Sequence, residues 1–244
     1  VIGLIFKMTN YFLKFLVLLI SIIGCDSPKN NNMKISGSID GLKKGKLFLQ
    51  KVKDSTLINV DSFEVKGTSD FILSDNIIGS EMYYLYLNKD DSDSLNDRIP
   101  FFGEKGKIEI STRLSTFESS AIISGSKNQL ILEEYNSMII RFNTENLNLI
   151  KDFVNNKDVI NDENRLLNLE KESERLMRRK YLYSLNFASI HNDSEVAPYI
   201  ALYEIPDANP ILLDSVFSKL SPKIKDSKYG KLLLEYLKAN RNAN

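Results

Sequence analysis

The chain has 244 residues, with 32 basic and 32 acidic side chains, so its formal net charge is zero. This balance argues against a nucleic-acid partner, because phosphate binding needs a surplus of clustered lysine and arginine. The only cysteine, Cys25, excludes an internal disulfide and a dithiol redox site within this chain. The length corresponds to one large domain or two modest ones.

An apolar run between a lysine and Cys25 is the first feature along the chain. The run extends from Phe15 to Gly24. A basic residue, a short apolar stretch and a small residue before cysteine are typical of a bacterial lipoprotein signal. We therefore predict that residues 1–24 are a signal peptide and that Cys25 is acylated. The alternatives are a transmembrane anchor and a buried apolar helix, but a span needs about 20 apolar residues and this run has about half that number.

Residues 25–32 are polar and show no periodicity, which predicts a flexible tether between the lipid and the fold. The expected location is the cell envelope, with the protein lipid-anchored through Cys25 to a membrane and facing the periplasm or the cell surface. The choice between inner and outer membrane is left open.

Residues 33–126 have the pattern of a β-rich domain, in which short alternating or β-rich runs are separated by turn residues. The run from Met82 to Leu87 is apolar or aromatic on both faces, which predicts a central strand covered on each side. The predicted strands are 34–40, 46–52, 57–65, 70–73, 81–87, 99–102, 107–111 and 121–124.

Residues 127–244 have helical periodicity, which together with the strands predicts an α+β fold. We expect an antiparallel β sandwich or barrel-like sheet domain followed by a helical segment. Ser126 and Gln129 form a predicted capping box at the first helix start. One face of this first helix carries Ile131, Tyr135, Met138 and Phe142.

A longer helix is predicted over residues 162–190, with Leu169, Leu176, Tyr183 and Ile190 repeating every seven residues. A coiled-coil seam would also use the positions Leu166, Ser173, Lys180 and Phe187, and two of these residues are polar. We therefore expect the helix to pack onto a neighbouring helix or the sheet rather than to form a dimer zipper. Two or three shorter helices are predicted to follow, over 196–205, 210–220 and 228–237.

The residues suited to metal binding are few. His191 is the only histidine, and its position at the end of the long helix is explained by favourable interaction with the helix C-terminus. A lone histidine does not make a multi-histidine metal site. The acidic loop of Asp90, Asp91, Asp93 and Asp97 lacks the central glycine and the closing acid of a calcium loop. No metal site is therefore expected.

Clusters of charged residues have simple structural explanations. Arg175, Arg178, Arg179 and Lys180 follow the glutamates Glu170, Glu172 and Glu174. Opposite charges three and four residues apart stabilise an exposed helix surface. Membrane contact by this cluster is an alternative that the flanking acids weaken. Glu133 with Glu134, and Glu170 with Glu172, are the candidate acid and base carboxylates of a glycosidase. Close neighbours on a helix point in different directions, so neither pair makes a catalytic couple by itself. No phosphate-binding glycine motif is present. The sequence predicts no catalytic residue and no cofactor.

The chain also resembles a known domain. The segments that carry the resemblance are 35–49, 54–62, 67–71, 106–110, 123–126, 192–199 and 227–230. They are similar to a domain of unknown function at the front of Bacteroidetes lipoproteins of the thiol:disulfide interchange type. In those proteins the domain precedes a thioredoxin-like domain. We expect that domain to be missing here, because the sequence has one cysteine and therefore no Cys-x-x-Cys pair.

These observations lead to three functional hypotheses. The first is a non-enzymatic, lipid-anchored binding or accessory module that takes a peptide, a protein partner or a small ligand through its β domain. The second is the accessory half of a thiol:disulfide interchange system whose thioredoxin-like domain is on a separate chain. The third is a hydrolase that uses scattered carboxylates, which requires two acids facing each other across a cleft.

Overall fold

Eight strands, with a short 3-10 helix (Leu114–Thr116) before the last of them, are followed by six α-helices in a computed structural model that describes residues 31–89, 98–155 and 163–242. The strands are β1 (Met33–Asp40), β2 (Lys44–Lys53), β3 (Thr56–Lys66), β4 (Asp70–Asp75), β5 (Glu81–Asn88), β6 (Arg98–Gly103), β7 (Gly106–Arg113) and β8 (Ile122–Ser124). The helices are α1 (Lys127–Asn155), α2 (Glu163–Ile190), α3 (Val196–Tyr203), α4 (Pro210–Lys219), α5 (Pro222–Lys225) and α6 (Lys228–Asn242). Each of the eight predicted strands is present, and the α+β class is confirmed.

The strands form two four-stranded sheets with the orders β4-β1-β7-β8 and β3-β2-β5-β6. Within the described residues the sheets do not close into a barrel, so the sandwich alternative is the correct one. The expectation of purely antiparallel pairing is wrong for one pair, because β1 and β7 are parallel. The whole second sheet lies between these two strands in the chain, so β7 returns to the first sheet in the same direction as β1.

The two sheets enclose one hydrophobic core. Alternate residues of each strand point into it, as the pleat requires. Its fully buried members include Ile35, Leu49, Phe71, Leu85 and Ile110, which come from both sheets.

A second core lies between the outer face of the β3-β2-β5-β6 sheet and the helices. Met82 and Phe102 enter it from β5 and β6, and Phe102 is fully buried. The Phe102 ring packs edge-on against Tyr199 of α3 and Tyr229 of α6, with ring centroids 5.5 and 6.0 Å apart. The Tyr229 hydroxyl accepts a hydrogen bond of 2.9 Å from the backbone N–H of Met82. The prediction that β5 is an interior strand covered on both faces is confirmed.

The start of α1 differs in one respect from the predicted capping box. Ser126 Oγ accepts the backbone N–H of Gln129 at 3.0 Å, as expected. The Gln129 side chain does not return to Ser126, because its Oε1 accepts the backbone N–H of Phe102 at 2.9 Å. The first N–H of α1 is capped by Glu104 instead, at 2.5 Å. Gln129 thereby joins α1 to the last strand of the second sheet.

The apolar face of α1 is confirmed in outline, with Leu132 and Ile139 buried beside Tyr135 and Phe142. The seven-residue seam of α2 is only partly correct. Leu176 is buried, but Ile190 is 66 % exposed because α2 ends there. The helix packs on its neighbours in the same chain, as predicted.

The shorter helices correspond to the prediction with shifted ends. The short α5 was not predicted, and α6 continues to Asn242 rather than ending at residue 237. Within the described ranges, no helix combines the length and apolar composition needed to cross a bilayer.

Candidate functional site

The helical part carries an apolar groove between α2 and the segment that leads into α4. The groove has a volume of about 760 Å³. Its apolar lining is Met177, Tyr181, Leu182, Leu185, Ala208 and Leu212, and we call it the α2 groove. Met177 and Leu182 are each 55 % exposed and Leu212 is 44 % exposed. Large apolar side chains exposed together are typical of a surface that binds a partner.

The groove exists because α2 has two apolar stripes. The first stripe faces α1, where Tyr183 stacks on Tyr135 at a centroid distance of 6.0 Å. The second stripe consists of Met177, Tyr181 and Leu185, which are four residues apart and therefore lie on one side of the helix. A helix with an apolar stripe on each of two sides needs two neighbours to bury both.

The neighbour of the second stripe is α4, which is much shorter than α2. Asn209 caps α4, since its Oδ1 accepts the backbone N–H of Ile211 at 2.9 Å, and Pro210 takes the first helical position. Because α4 has 10 residues and α2 has 28, α4 covers only part of the stripe. The uncovered remainder forms the floor of the groove.

The rim of the groove is acidic. Glu170, Glu174 and Asp207 line it together with one cation, Arg178. An apolar floor with an acidic rim is complementary to an apolar segment with flanking basic residues.

A second feature is a network of charged residues where β2, β4 and β5 meet α6. Lys51 Nζ is 2.8 Å from Asp75 Oδ2 and 3.4 Å from Glu81 Oε1. The Tyr83 hydroxyl donates to Asp75 Oδ2 at 2.7 Å. Lys228 of α6 pairs with the other oxygen of Glu81, Oε2, and its Nζ also donates to the Val52 carbonyl at 3.0 Å. The network fastens the last helix to the second sheet.

The network shifts the pKa values of Asp75, Lys51 and Tyr83. Burial alone raises the pKa of Asp75, but hydrogen bonds from Lys51 and Tyr83 outweigh it and hold the pKa below its ordinary value of 3.8. Burial alone lowers the pKa of Lys51, but its hydrogen bond to Asp75 and the charges of Glu81 and Asp75 raise the pKa above 10.5. Burial, and then the hydrogen bond to Asp75, raise the pKa of Tyr83.

We expect Lys51→Met to lower the free energy of unfolding by about 1–2 kcal/mol at neutral pH, because Asp75 loses a charged donor. The lowered folded-state pKa of Asp75 stabilises the fold above pH 3.8, and this stabilisation is lost as the pH falls through the folded-state pKa. The raised pKa of Lys51 stabilises below pH 10.5 and is lost above that value. Urea unfolding of the wild type and the variant at neutral pH measures the difference in the free energy of unfolding. The same measurement at acidic pH should show that this difference disappears.

The control for this prediction is Lys66→Met, which removes an ion pair with Glu64 whose side chains are 75 % and 63 % exposed. It should change the free energy of unfolding by less than about 0.5 kcal/mol. A Lys51→Met deficit that stays the same in acid would contradict the assignment.

The residues singled out in the sequence lie in several places. Cys25 and the acidic residues Asp90, Asp91, Asp93 and Asp97 fall outside the described residues. His191 follows α2 directly, as predicted, and its ring lies 4.2 Å from the ring of Phe187.

The arginine cluster of α2 is explained mainly by its partners within the chain. Arg175 pairs with Glu172 one turn earlier at 2.7 Å. Arg179 reaches Glu145 of α1 at 2.9 Å. Arg178 is the member that lines the α2 groove.

Two of the acids considered for hydrolysis have separate partners. Glu133 accepts the Gln129 amide at 2.8 Å, and Glu172 is paired with Arg175. Glu81 and Glu195 line the same cleft, but both oxygens of Glu81 are taken by lysines and Glu195 accepts the Asn128 amide at 3.2 Å. In the described part of the chain, no three histidine, cysteine, aspartate or glutamate side chains are placed to hold a metal ion.

Sequence reasoning missed the α2 groove and placed the binding surface on the β domain. A signal was present, because Met177, Tyr181 and Leu185 repeat at helical spacing beside the predicted seam. The charged network left no such signal, since Lys51, Asp75, Glu81 and Lys228 are far apart in the chain.

Comparison with known families classes the first part of the fold as a domain of unknown function. Residues 33–132 match the family model described as "Domain of unknown function (DUF4369)". The match covers the β sandwich and the first turns of α1, and it confirms the resemblance for that part of the chain. It does not include an association with a thioredoxin-like domain, which stays a prediction. Comparison with curated proteins gives no significant match to this chain.

Proposed function

We propose that this protein is a lipid-anchored, non-enzymatic accessory module of the cell envelope that binds a protein partner in the α2 groove. The observation that carries the proposal is the joint exposure of Met177, Leu182 and Leu212 on one apolar floor. Leaving this surface in water is unfavourable, so a partner that covers it gains the free energy of apolar burial.

The shape and charge of the groove indicate the kind of partner. The lining residues of α2 run from Glu170 to Leu185, which is roughly 20 Å along the helix axis. An amphipathic helix of about four turns fits this length and would place its apolar face on the floor. The acidic rim favours lysine or arginine on the flanks of that helix.

The lipid on Cys25 would determine where this binding takes place. Each buried CH₂ of an acyl chain contributes about 0.8 kcal/mol, so more than one chain holds a protein stably at a membrane. Anchoring confines the groove and its partner to the same membrane surface. The proposed partner is therefore an envelope protein.

The proposal predicts that a photo-crosslinking amino acid at Leu182, introduced in the native host, captures one defined envelope protein. Mass spectrometry should place the crosslink in an amphipathic helix with basic flanks. Adding Met177→Glu should reduce the product at least about tenfold, because it buries an unpaired charge in an apolar contact. Adding Cys25→Ser should move the protein from the membrane fraction to the soluble fraction and also reduce the product.

The matched control is the same crosslinker at Ile122, which is 71 % exposed on β8. Equal capture at both positions would refute groove binding, and membrane retention of the Cys25→Ser protein would refute anchoring through this residue. A captured protein with a Cys-x-x-Cys thioredoxin-like domain would identify the module as the accessory half of a thiol:disulfide interchange system.

A further inference from the structure

The chain enters the fold at one end of the sandwich, beside the loop that joins β4 to β5. The Asn32 side chain donates to the Ile77 carbonyl at 2.9 Å and accepts the Ile77 N–H at 2.8 Å. The Asn32 carbonyl accepts the N–H of Gly106 at 2.9 Å. These three bonds hold the root of the tether, together with Asn31, which donates to Ser74 at 2.9 Å.

The distance from this root to the predicted lipid is short. Cys25 and Asn32 are seven residues apart in the sequence. A chain extends at most about 3.5 Å per residue, so a lipid on Cys25 would keep Asn32 within roughly 25 Å of the point of attachment. If Cys25 is anchored in a bilayer, this end of the sandwich is the end nearest the membrane.

The same end exposes a large apolar side chain. Ile78 is 99 % exposed, while its neighbour Ile77 is buried and bonded to Asn32. Ile78 lies at the rim of a cleft of about 500 Å³ that is also lined by Lys223 and Lys231. A fully exposed isoleucine costs free energy in water and gains it in an apolar phase.

Several lysines around Ile78 have no acidic partner in the described part of the chain. The exposed lysines Lys223 and Lys231 lie on the helical side, and they make no ion pair with another described residue. Lys34 and Lys107 are exposed neighbours on the parallel strands β1 and β7 at the other side of this end. Lys105 is exposed in the turn before β7.

Two acids near these lysines are exposed, Glu109 on β7 and Asp226 in the cleft, and three others are engaged. Asp75 and Glu81 are already paired with Lys51 and Lys228. Glu104 accepts the first backbone N–H groups of α1. Asp226 is the one exposed acid among the residues of the cleft. We call the group of Ile78, Lys34, Lys105, Lys107, Lys223 and Lys231 the tether-end surface.

We propose that the tether-end surface rests on the anionic headgroups of the membrane that holds Cys25, with Ile78 inserted among the lipids. This inference rests on the proposed lipid anchoring. Lysines near an anionic bilayer each add to its attraction for the protein, and an apolar side chain among them reaches the acyl boundary. The contact would orient the module on the membrane, which a tether alone does not do.

The test uses the mature chain with Cys25→Ser, so that no lipid contributes, and with Ile78→Cys labelled by a polarity-sensitive fluorophore. Phosphatidylglycerol-containing vesicles should bind this protein and shift the emission of the label to the blue. Lys223→Glu with Lys231→Glu should weaken the binding at least about tenfold. Salt at about 0.5 M should abolish it, because charges are then strongly screened.

Two controls keep the test specific. A label at Ile122→Cys should not shift on the same vesicles, and Lys43→Glu with Lys44→Glu at the opposite end should leave the binding unchanged. The proposal is overturned if the vesicles do not bind the protein, if phosphatidylcholine vesicles bind it equally, or if both labels shift alike. Because this protein has no lipid, the result is independent of whether cells acylate Cys25.

Discussion

Gly37→Ala is expected to lower the free energy of unfolding by at least about 3 kcal/mol. Gly37 lies in β1 between β4 and β7, opposite Phe71 and Ile110. A Cβ atom at this position would overlap the carbonyl oxygen of Ile110 and touch the Phe71 ring. The oxygen belongs to the backbone of the neighbouring strand, so relief requires β1 and β7 to separate.

Gly79→Ala is the matched control for this prediction. Gly79 is an exposed residue of the β4–β5 loop, and a Cβ there meets no atom within 4 Å. Its substitution should change stability by less than about 0.5 kcal/mol. Urea unfolding followed by circular dichroism compares the two variants. Equal stability of Gly37→Ala and the wild type would show that β1 and β7 do not pair as described.

Phe102→Ala is the second substitution with a large expected effect, about 3–5 kcal/mol of the free energy of unfolding. The Phe102 ring is fully buried and lies between the second sheet and the helices. It packs edge-on against Tyr199 and Tyr229. Truncation removes these contacts and leaves a cavity, because the strand and the two helices are each held by other bonds and cannot close on it.

Urea unfolding of the Phe102→Ala variant measures this loss. It also tests whether residues 33–126 and 127–244 unfold as separate domains. Because Phe102 belongs to the shared core, the helical signal in circular dichroism and hydrogen exchange in β5 should both report the loss. Phe48→Ala is the control, since Phe48 is only half-buried in the same sheet. A helical transition that shifts while β5 exchange is unchanged would show two independent units.

Much of the local structure could be predicted from the sequence. All eight strands were found because alternation and glycine turns act over a few residues. The interior position of β5 followed from its two apolar faces. The start of α1 followed from Ser126, whose hydroxyl caps the helix locally.

Predictions failed where the outcome depends on parts of the chain that are distant in sequence or on where an element ends. Gln129 was expected to bond within its own turn, but it satisfies the N–H of Phe102, which is 27 residues earlier in the chain. Ile190 fits the seam of α2 by spacing, but the helix ends there and leaves it exposed. The parallel pairing of β1 with β7 depends on how the chain crosses between sheets, which no local pattern records.

The sequence by itself determined the class of fold and the order of the strands and longer helices, because these depend on spacing and residue type over short stretches. The tertiary structure alone decided where the surfaces lie. The α2 groove exists because α4 is too short to cover α2. The tether-end surface exists because Lys34, Ile78 and Lys223 come to the same end of the fold from three distant parts of the chain. The proximity of such residues depends on packing and hydrogen bonds between elements, which the local sequence does not specify.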